Sequence, residues 1–179
     1  GSHFLGHLLF RTGELGSPLE YLHPRHLKRW QEELNTPELE AVLQVLIRRR
    51  TSPRGWFGLK AHWLQFQQIA ADSGLQARIG ICKYIRLSRQ DLLEQAISLQ
   101  IARQTGAWIS YHATARNPAY NFAAIHSDMR ELQAEDAQWE RFFEENNISP
   151  LRVSYEELTA DPEDVLGKIC RTLGVQVPA

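Results

Sequence analysis

Apolar residues recur at helical spacing from the start of the chain. Phe4, Leu5, Leu8 and Leu9 share one face, and Gly13 ends the run. Glu14 to Pro18 reads as a polar turn leading into Leu19-Glu20-Tyr21-Leu22, and Pro24 to Glu33 as a short helix. Thr36-Pro37-Glu38 predicts the next helix start, with a hydroxyl N-cap, proline at the first helical position and an acid in the first turn. Leu39, Val42, Leu43, Leu46 and Ile47 give that helix its apolar face, and Arg48-Arg49-Arg50 closes it.

Beyond the breakers Thr51 to Gly55, Trp56 to Leu59 reads as a short buried strand, and a helix then runs to about Ala71. Cys82 to Leu87 reads as a second strand and Leu151 to Val153 as a third. Between them lie a helix over Asp91 to Thr105, with Leu92, Leu93, Ala96 and Leu99 inward, and an aromatic loop carrying Trp108, Tyr111 and His112. A long helix or helix pair follows from Tyr120 to Asn146, with Phe122, Ile125, Met129, Leu132, Trp139, Phe142 and Phe143 on its apolar side. Asp161-Pro162 opens a last helix that Gly174 ends. Short apolar strands alternating with amphipathic helices predict an α/β fold: three layers, a mostly parallel sheet flanked by helices.

Composition narrows the classes. The 179 residues, 43% apolar and 23% charged, fit one globular domain. A net charge of −1 argues against a dedicated nucleic-acid binder, and no apolar run has the length of a membrane span. Cys82 and Cys170, far apart and each in an apolar segment, read as reduced and buried, which points to the cytoplasm. The histidines are scattered, and none has a partner at metal-ligand spacing, so no metal is expected.

Chemistry concentrates at few places. A Gly-Ser turn running into a helix leaves backbone N–H groups of Gly1, Ser2, His3 and Phe4 aimed together, an anion site of the kind that holds phosphate or sulfate esters. Gly-Ser-His is also what a cleaved affinity tag leaves behind, but a remnant would not continue in register into a helix. Lys60, His62 and Arg89 each follow a predicted strand, where α/β sheets bind ligands. From the residues alone, Glu20 reads as a surface carboxylate, Arg89 as a helix-start cation and Ser98 as a tolerated polar helix residue. Trp63 and Trp108 read as core, with stacking on a sugar or adenine as the rival role. No Gly-Lys-Ser/Thr occurs, which counts against an NTPase. The helix at Ser2 has no strand before it, so the first strand is expected to be missing.

At these positions the chain resembles the bacterial trehalose 2-sulfotransferase family and, more distantly, all sulfotransferases that use 3′-phosphoadenosine-5′-phosphosulfate. Gly1-Ser2 resembles the end of the family's Arg-Ser-Gly-Ser type loop, with Leu8-Leu9, Thr12-Gly13, Gly16, Pro18 and Glu20-Tyr21 in register. Phe57-Gly58-Leu59-Lys60 with Trp63 resembles the second strand. Arg86-Leu87-Ser88-Arg89-Gln90-Asp91, Gln95-Ala96-Ile97-Ser98 and Gln104-Thr105-Gly106 resemble the 3′-phosphate motif. Trp139 to Phe143 and Val153 to Leu158 with Asp161-Pro162 match the C-terminal part. Two departures stand out: His3 replaces a small hydroxyl residue, and the sequence stops at Ala179, before the position of the family's basic tail.

The resemblance implies a single P-loop-like sulfotransferase domain over 1–179, truncated at both ends, that moves a sulfuryl group to an acceptor hydroxyl on trehalose or another carbohydrate. Gly1, Ser2, His3 and Phe4 would hold the 5′-phosphosulfate, and Arg89 and Ser98 the 3′-phosphate. Glu20 is the expected base, His62 its rival from a Lys-x-His that resembles the cytosolic enzymes, and Lys60 the expected stabiliser of sulfuryl charge. A homodimer is implied too. Two other readings remain: a catalytically degenerate binding or oligomerising module on the same fold, and a helical interaction protein using Arg48 to Arg50.

Overall fold

A computed structural model describes residues 1–80, 82–108 and 117–176. Among them, nine α-helices and two strands follow in order: α1 (Ser2–Arg11), α2 (Pro24–Leu34), α3 (Leu39–Arg50), α4 (Trp63–Ala70), α5 (Ser73–Ile79), β1 (Ile85–Ser88), α6 (Leu92–Thr105), α7 (Phe122–Glu145), β2 (Leu151–Ser154), α8 (Tyr155–Ala160) and α9 (Pro162–Leu173). Helices and a parallel sheet coexist as expected, although the described sheet is small. β1 pairs with β2 in parallel, Ile85 opposite Leu151 through Ser88 opposite Ser154.

The strand expected over Cys82 to Leu87 starts later, at Ile85. Leu151 donates its N–H to the Tyr84 carbonyl, but the residue before it is Pro150, which has no N–H to carry the ladder further back. Trp56 to Leu59 is not a strand. It contributes a single parallel bridge, Leu59 to Leu19, with Lys60 N–H donating to the Leu19 carbonyl at 3.0 Å. The ladder stops there because Tyr21 N–H turns back onto the Leu19 carbonyl at 3.0 Å instead of pairing across, and Gly58 lies against the Leu15 carbonyl and Pro18. Gly16, at φ +72°, makes that approach possible, since a Cβ there would lie 2.7 Å from the Trp56 carbonyl oxygen.

Smaller differences have equally local causes. The N-cap of α3 is Glu38 rather than Thr36, whose hydroxyl instead accepts from Glu38 N–H. The helix expected to run to about Ala71 stops there, and Asp72 caps a second one, α5, by accepting from the N–H groups of Gly74 and Leu75. Tyr120 to Asn146 holds one helix, α7. On α6 the buried residues are Ala96 and Ala102, while Leu93, expected inward, is 51% exposed. Cys170 is buried as expected, but Cys82 is exposed.

Three apolar clusters hold the fold. Leu5, Leu9 and Leu15 pack with Val153, Leu158, Val165, Ile169 and Cys170, which fixes α1 against β2, α8 and α9. Leu22, Leu43, Phe66, Ile69, Phe142 and Phe143 join α3, α4 and α7. Tyr21, Val42 and Leu46 seat the segment before α2 on α3. A cleft of about 1480 Å³ opens between the 56–62 segment and β1, with the start of α1 on its wall.

Candidate active site

The C-terminal ends of β1 and β2 and the N-terminus of α1 meet at the cleft. Parallel pairing puts Arg89 and Tyr155, the residues that follow each strand, at the same edge. Gly1 packs between Tyr155 and Leu87, so close that a Cβ would lie 2.9 Å from the Tyr155 ring. The α1 ladder opens with Leu5 N–H on the Gly1 carbonyl, which leaves the N–H groups of Ser2, His3 and Phe4 outside it. Among the described residues no side chain caps this end, and its first turn carries no acid. Unlike α2, α5 and α6, whose first N–H groups are met by His23, Asp72 and Asp91, α1 presents an uncapped positive dipole end.

Gly1, Ser2, Lys60, His62, Arg89 and Ser98 all line the cleft; the side chains of His3 and Phe4 do not. Lys60 reaches both neighbours: its Nζ donates to Ser2 Oγ at 3.3 Å and stands 2.6 Å from Glu20 Oε1. Glu20 is held in place by its own backbone, whose carbonyl faces His26 Nδ1 at 2.9 Å, and by Gln65 Nε2 donating to Oε2 at 3.3 Å. Burial pushes the Glu20 carboxyl up, but Lys60, His62 and Gln65 together outweigh it and hold the group below its usual range. Lys60 thus already neutralises Glu20.

His62 caps the turn into α4, with its N–H on Gln65 Oε1 at 3.1 Å. Its Nδ1 lies 3.5 Å from Glu135 Oε1, and this partner holds the imidazole above its usual range against the lowering effect of burial. Burial pushes Glu135 up as well, but His62, the Trp63 N–H it accepts and the nearby Arg86 bring it below the usual carboxylate range.

At the other wall the Arg89 guanidinium lies 4.7 Å over the Tyr155 ring, donates to Ser98 Oγ at 3.3 Å and pairs with Glu94. Arg89 Nε is buried without a partner among the described residues. The structure thus joins Arg89 and Ser98, nine residues apart, through the turn from β1 into α6. Trp63 belongs to the core, edge-on to Trp139 at 5.1 Å, whereas Trp108, also read as core, is 61% exposed at the cleft rim. Tyr111 and His112 lie outside the described residues. His23 and His26 are used locally, on Arg25 N–H and the Glu20 carbonyl.

Sequence reasoning missed Gln65, Glu94, Glu135 and Tyr155 as members of this site. One signal was present for Glu135. It falls with Ile125, Asp128, Leu132, Trp139 and Phe142 at spacings of three and four, so two acids, Asp128 and Glu135, stand in an otherwise apolar row.

A family model described as Stf0 sulphotransferase matches residues 1–179. A trehalose 2-sulfotransferase of Mycolicibacterium smegmatis is 28% identical over 139 residues, covering 69% of this chain and 52% of that protein. A second trehalose 2-sulfotransferase, from Mycobacterium tuberculosis, is 27% identical over the same length and shares. The chain spans about half the length of these curated relatives.

Proposed function

The chain belongs to the Stf0 sulphotransferase family, and on that premise we propose that it moves a sulfuryl group from 3′-phosphoadenosine-5′-phosphosulfate to a hydroxyl of a carbohydrate such as trehalose. One observation carries the reading: an uncapped helix N-terminus, Lys60 and the Arg89–Ser98 pair share one cleft, with Glu20 2.6 Å from Lys60. A nucleotide with two anionic ends needs two separated anion sites, and this cleft has cationic or N–H-rich groups at both walls.

The α1 N–H groups and the Ser2 hydroxyl bind the 5′-phosphosulfate, and Arg89 and Ser98 bind the 3′-phosphate. Glu20 takes the proton of the acceptor hydroxyl while the hydroxyl oxygen forms a bond to sulfur. The bond from sulfur to the 5′-phosphate oxygen breaks, and Lys60 and the α1 dipole offset the charge left there. A P-loop-like turn at Gly1-Ser2 fed by a strand, one domain over 1–179, a cytoplasmic setting and a homodimer complete the proposal. The close fit of Gly1 against Leu87 and Tyr155 supports the first of these.

Two measurements test it. Thermal shift with 3′-phosphoadenosine-5′-phosphate is expected to raise the melting temperature. Label transfer from the sulfated donor is expected onto trehalose or another disaccharide. A shift without transfer to any sugar would favour the degenerate binding module, and no shift would sink both readings.

A further inference from the structure

Two adjacent acids of α7 hold the two walls of the cleft. Asp136 pairs with Arg86 on β1. Glu135 reaches the opposite wall, where its Oε1 accepts Trp63 N–H and lies 3.5 Å from His62 Nδ1. Its side chain is 24% exposed, in a row of α7 otherwise given to core contacts. A half-buried carboxylate at such a position is costly unless it does something an apolar residue cannot. Here it ties down the turn that carries Lys60 and His62. With Nδ1 held by Glu135, Nε2 is the ring nitrogen left for the cleft.

We propose that Glu135 is a positioning residue of this site, holding the His62 imidazole by Nδ1 so that Nε2 donates to the anionic end of the sulfate donor. This rests on the sulfuryl-transfer reading and adds to it a role for His62 as a second cation beside Lys60, with Glu20 left as the base. The charged groups facing His62 are Glu135 from α7, Lys60 on its own segment and Glu20 from the stretch after α1. Arg86 faces Glu135, and Asp136 in turn holds Arg86. Among these, Glu135 has the direct contact, and the imidazole is held above its ordinary range as that contact requires.

The test compares Glu135→Gln and Glu135→Asp with the parent chain. Glutamine keeps an oxygen for Trp63 N–H and removes the charge; aspartate keeps the charge. NMR titration of His62 in the ligand-free protein is expected to show the imidazole midpoint falling in the glutamine variant and recovering in the aspartate variant. With the sulfated donor, the glutamine variant is expected to raise KM roughly fivefold with kcat little changed. That loss should be largest between about pH 6.5, the ordinary imidazole value, and the raised midpoint. It should fade below, where His62 is protonated in both proteins. A His62 titration that ignores Glu135→Gln, or a KM loss that is the same at every pH, overturns the proposal. Absence of turnover in the parent chain would instead strike the sulfuryl-transfer reading, and the titration still decides whether Glu135 governs His62.

Discussion

Glu20 Oε1 lies 2.6 Å from Lys60 Nζ, and both side chains are largely buried, at 19% and 15% exposure. The pair joins the stretch after α1 to the segment after Leu59, the same two strands of chain that the Leu19–Leu59 bridge connects. The proposed base and the proposed charge stabiliser are therefore held together by one backbone bridge and one ion pair. In the free protein each satisfies the other. A donor whose anionic oxygens draw on Lys60 would free Glu20 of its partner and so raise its basicity when the acceptor proton must move.

Lys60→Met is expected to leave Glu20 half-buried and unpaired. Its carboxyl should then rise, because burial no longer has Lys60 to oppose it. The sign for stability follows. Glu20 is depressed in the folded chain, so the pair stabilises above the unfolded carboxylate value, about 4.3, and that contribution is lost as pH falls through the folded value. Chemical denaturation at pH 7 should show a loss of about 1–3 kcal/mol. The difference between the two proteins should shrink toward zero in acid. A loss that is independent of pH would assign the effect of Lys60 to packing.

Arg89→Ala should weaken binding of 3′-phosphoadenosine-5′-phosphate by about 1.5–3 kcal/mol. Calorimetry should show a much smaller loss for the analogue without the 3′-phosphate. Glu94 gives a second handle, since it now occupies Arg89. Glu94→Gln is expected to tighten nucleotide binding by removing a competing anion. Equal losses for both nucleotides in Arg89→Ala would remove the 3′-phosphate from this wall.

Much of this site was legible because its residues sit at element ends that local rules mark. Gly1-Ser2 before an apolar run, Lys60 and Arg89 after apolar segments, and Asp161-Pro162 before α9 each announce a boundary. Trp56 to Leu59 misled because an apolar run shows burial, not pairing. Its ladder is cut short because Tyr21, some forty residues distant in the chain, turns its N–H back onto the Leu19 carbonyl. Leu93 misled for a related reason: the inward face of α6 is set by where α7 lies, and small Ala96 and Ala102 take the close contact. Glu94, Gln65 and Tyr155 carry no local sign of their roles. Only the parallel pairing of β1 with β2 brings Tyr155 under Arg89.

The same tertiary logic governs Asp128, 1% exposed on α7 and held by Arg103 and by Gln100 Nε2 at 2.7 Å. Arg103 is 44% exposed and also reaches Glu131, so it keeps solvent and a second partner if Asp128 is removed. Asp128 would keep only the neutral Gln100 amide and almost no solvent. Arg103→Met should therefore cost more than Asp128→Asn, about 2–4 kcal/mol against about 1. In melting temperature that is roughly 4–16 °C against a few degrees. Nucleotide affinity should change little in either. A larger loss for Asp128→Asn would mean that the pair is limited by Arg103 and not by the buried carboxylate.

The choice of base can be settled by substitution. Glu20 and His62 are both near Lys60, but their environments push them in opposite directions. Glu20 is held below its usual range and is ionised, ready to accept a proton at neutral pH. His62 is held above its usual range by Glu135, so a larger share of it is already protonated there and unable to accept one. That ordering favours Glu20. Its low basicity in the free protein is no obstacle if donor binding occupies Lys60. Glu20→Gln keeps the shape and the contact from Gln65 while removing the base, so turnover should fall by about 10²–10⁴ with nucleotide affinity unchanged or slightly tighter. His62→Gln should raise the donor KM and leave kcat within about tenfold. The acid limb of the rate profile should belong to Glu20 and move up in Lys60→Met. If His62→Gln abolishes turnover while Glu20→Gln runs near the parent rate, the imidazole is the base, and the ion pair between Glu20 and Lys60 serves only to hold the cleft wall.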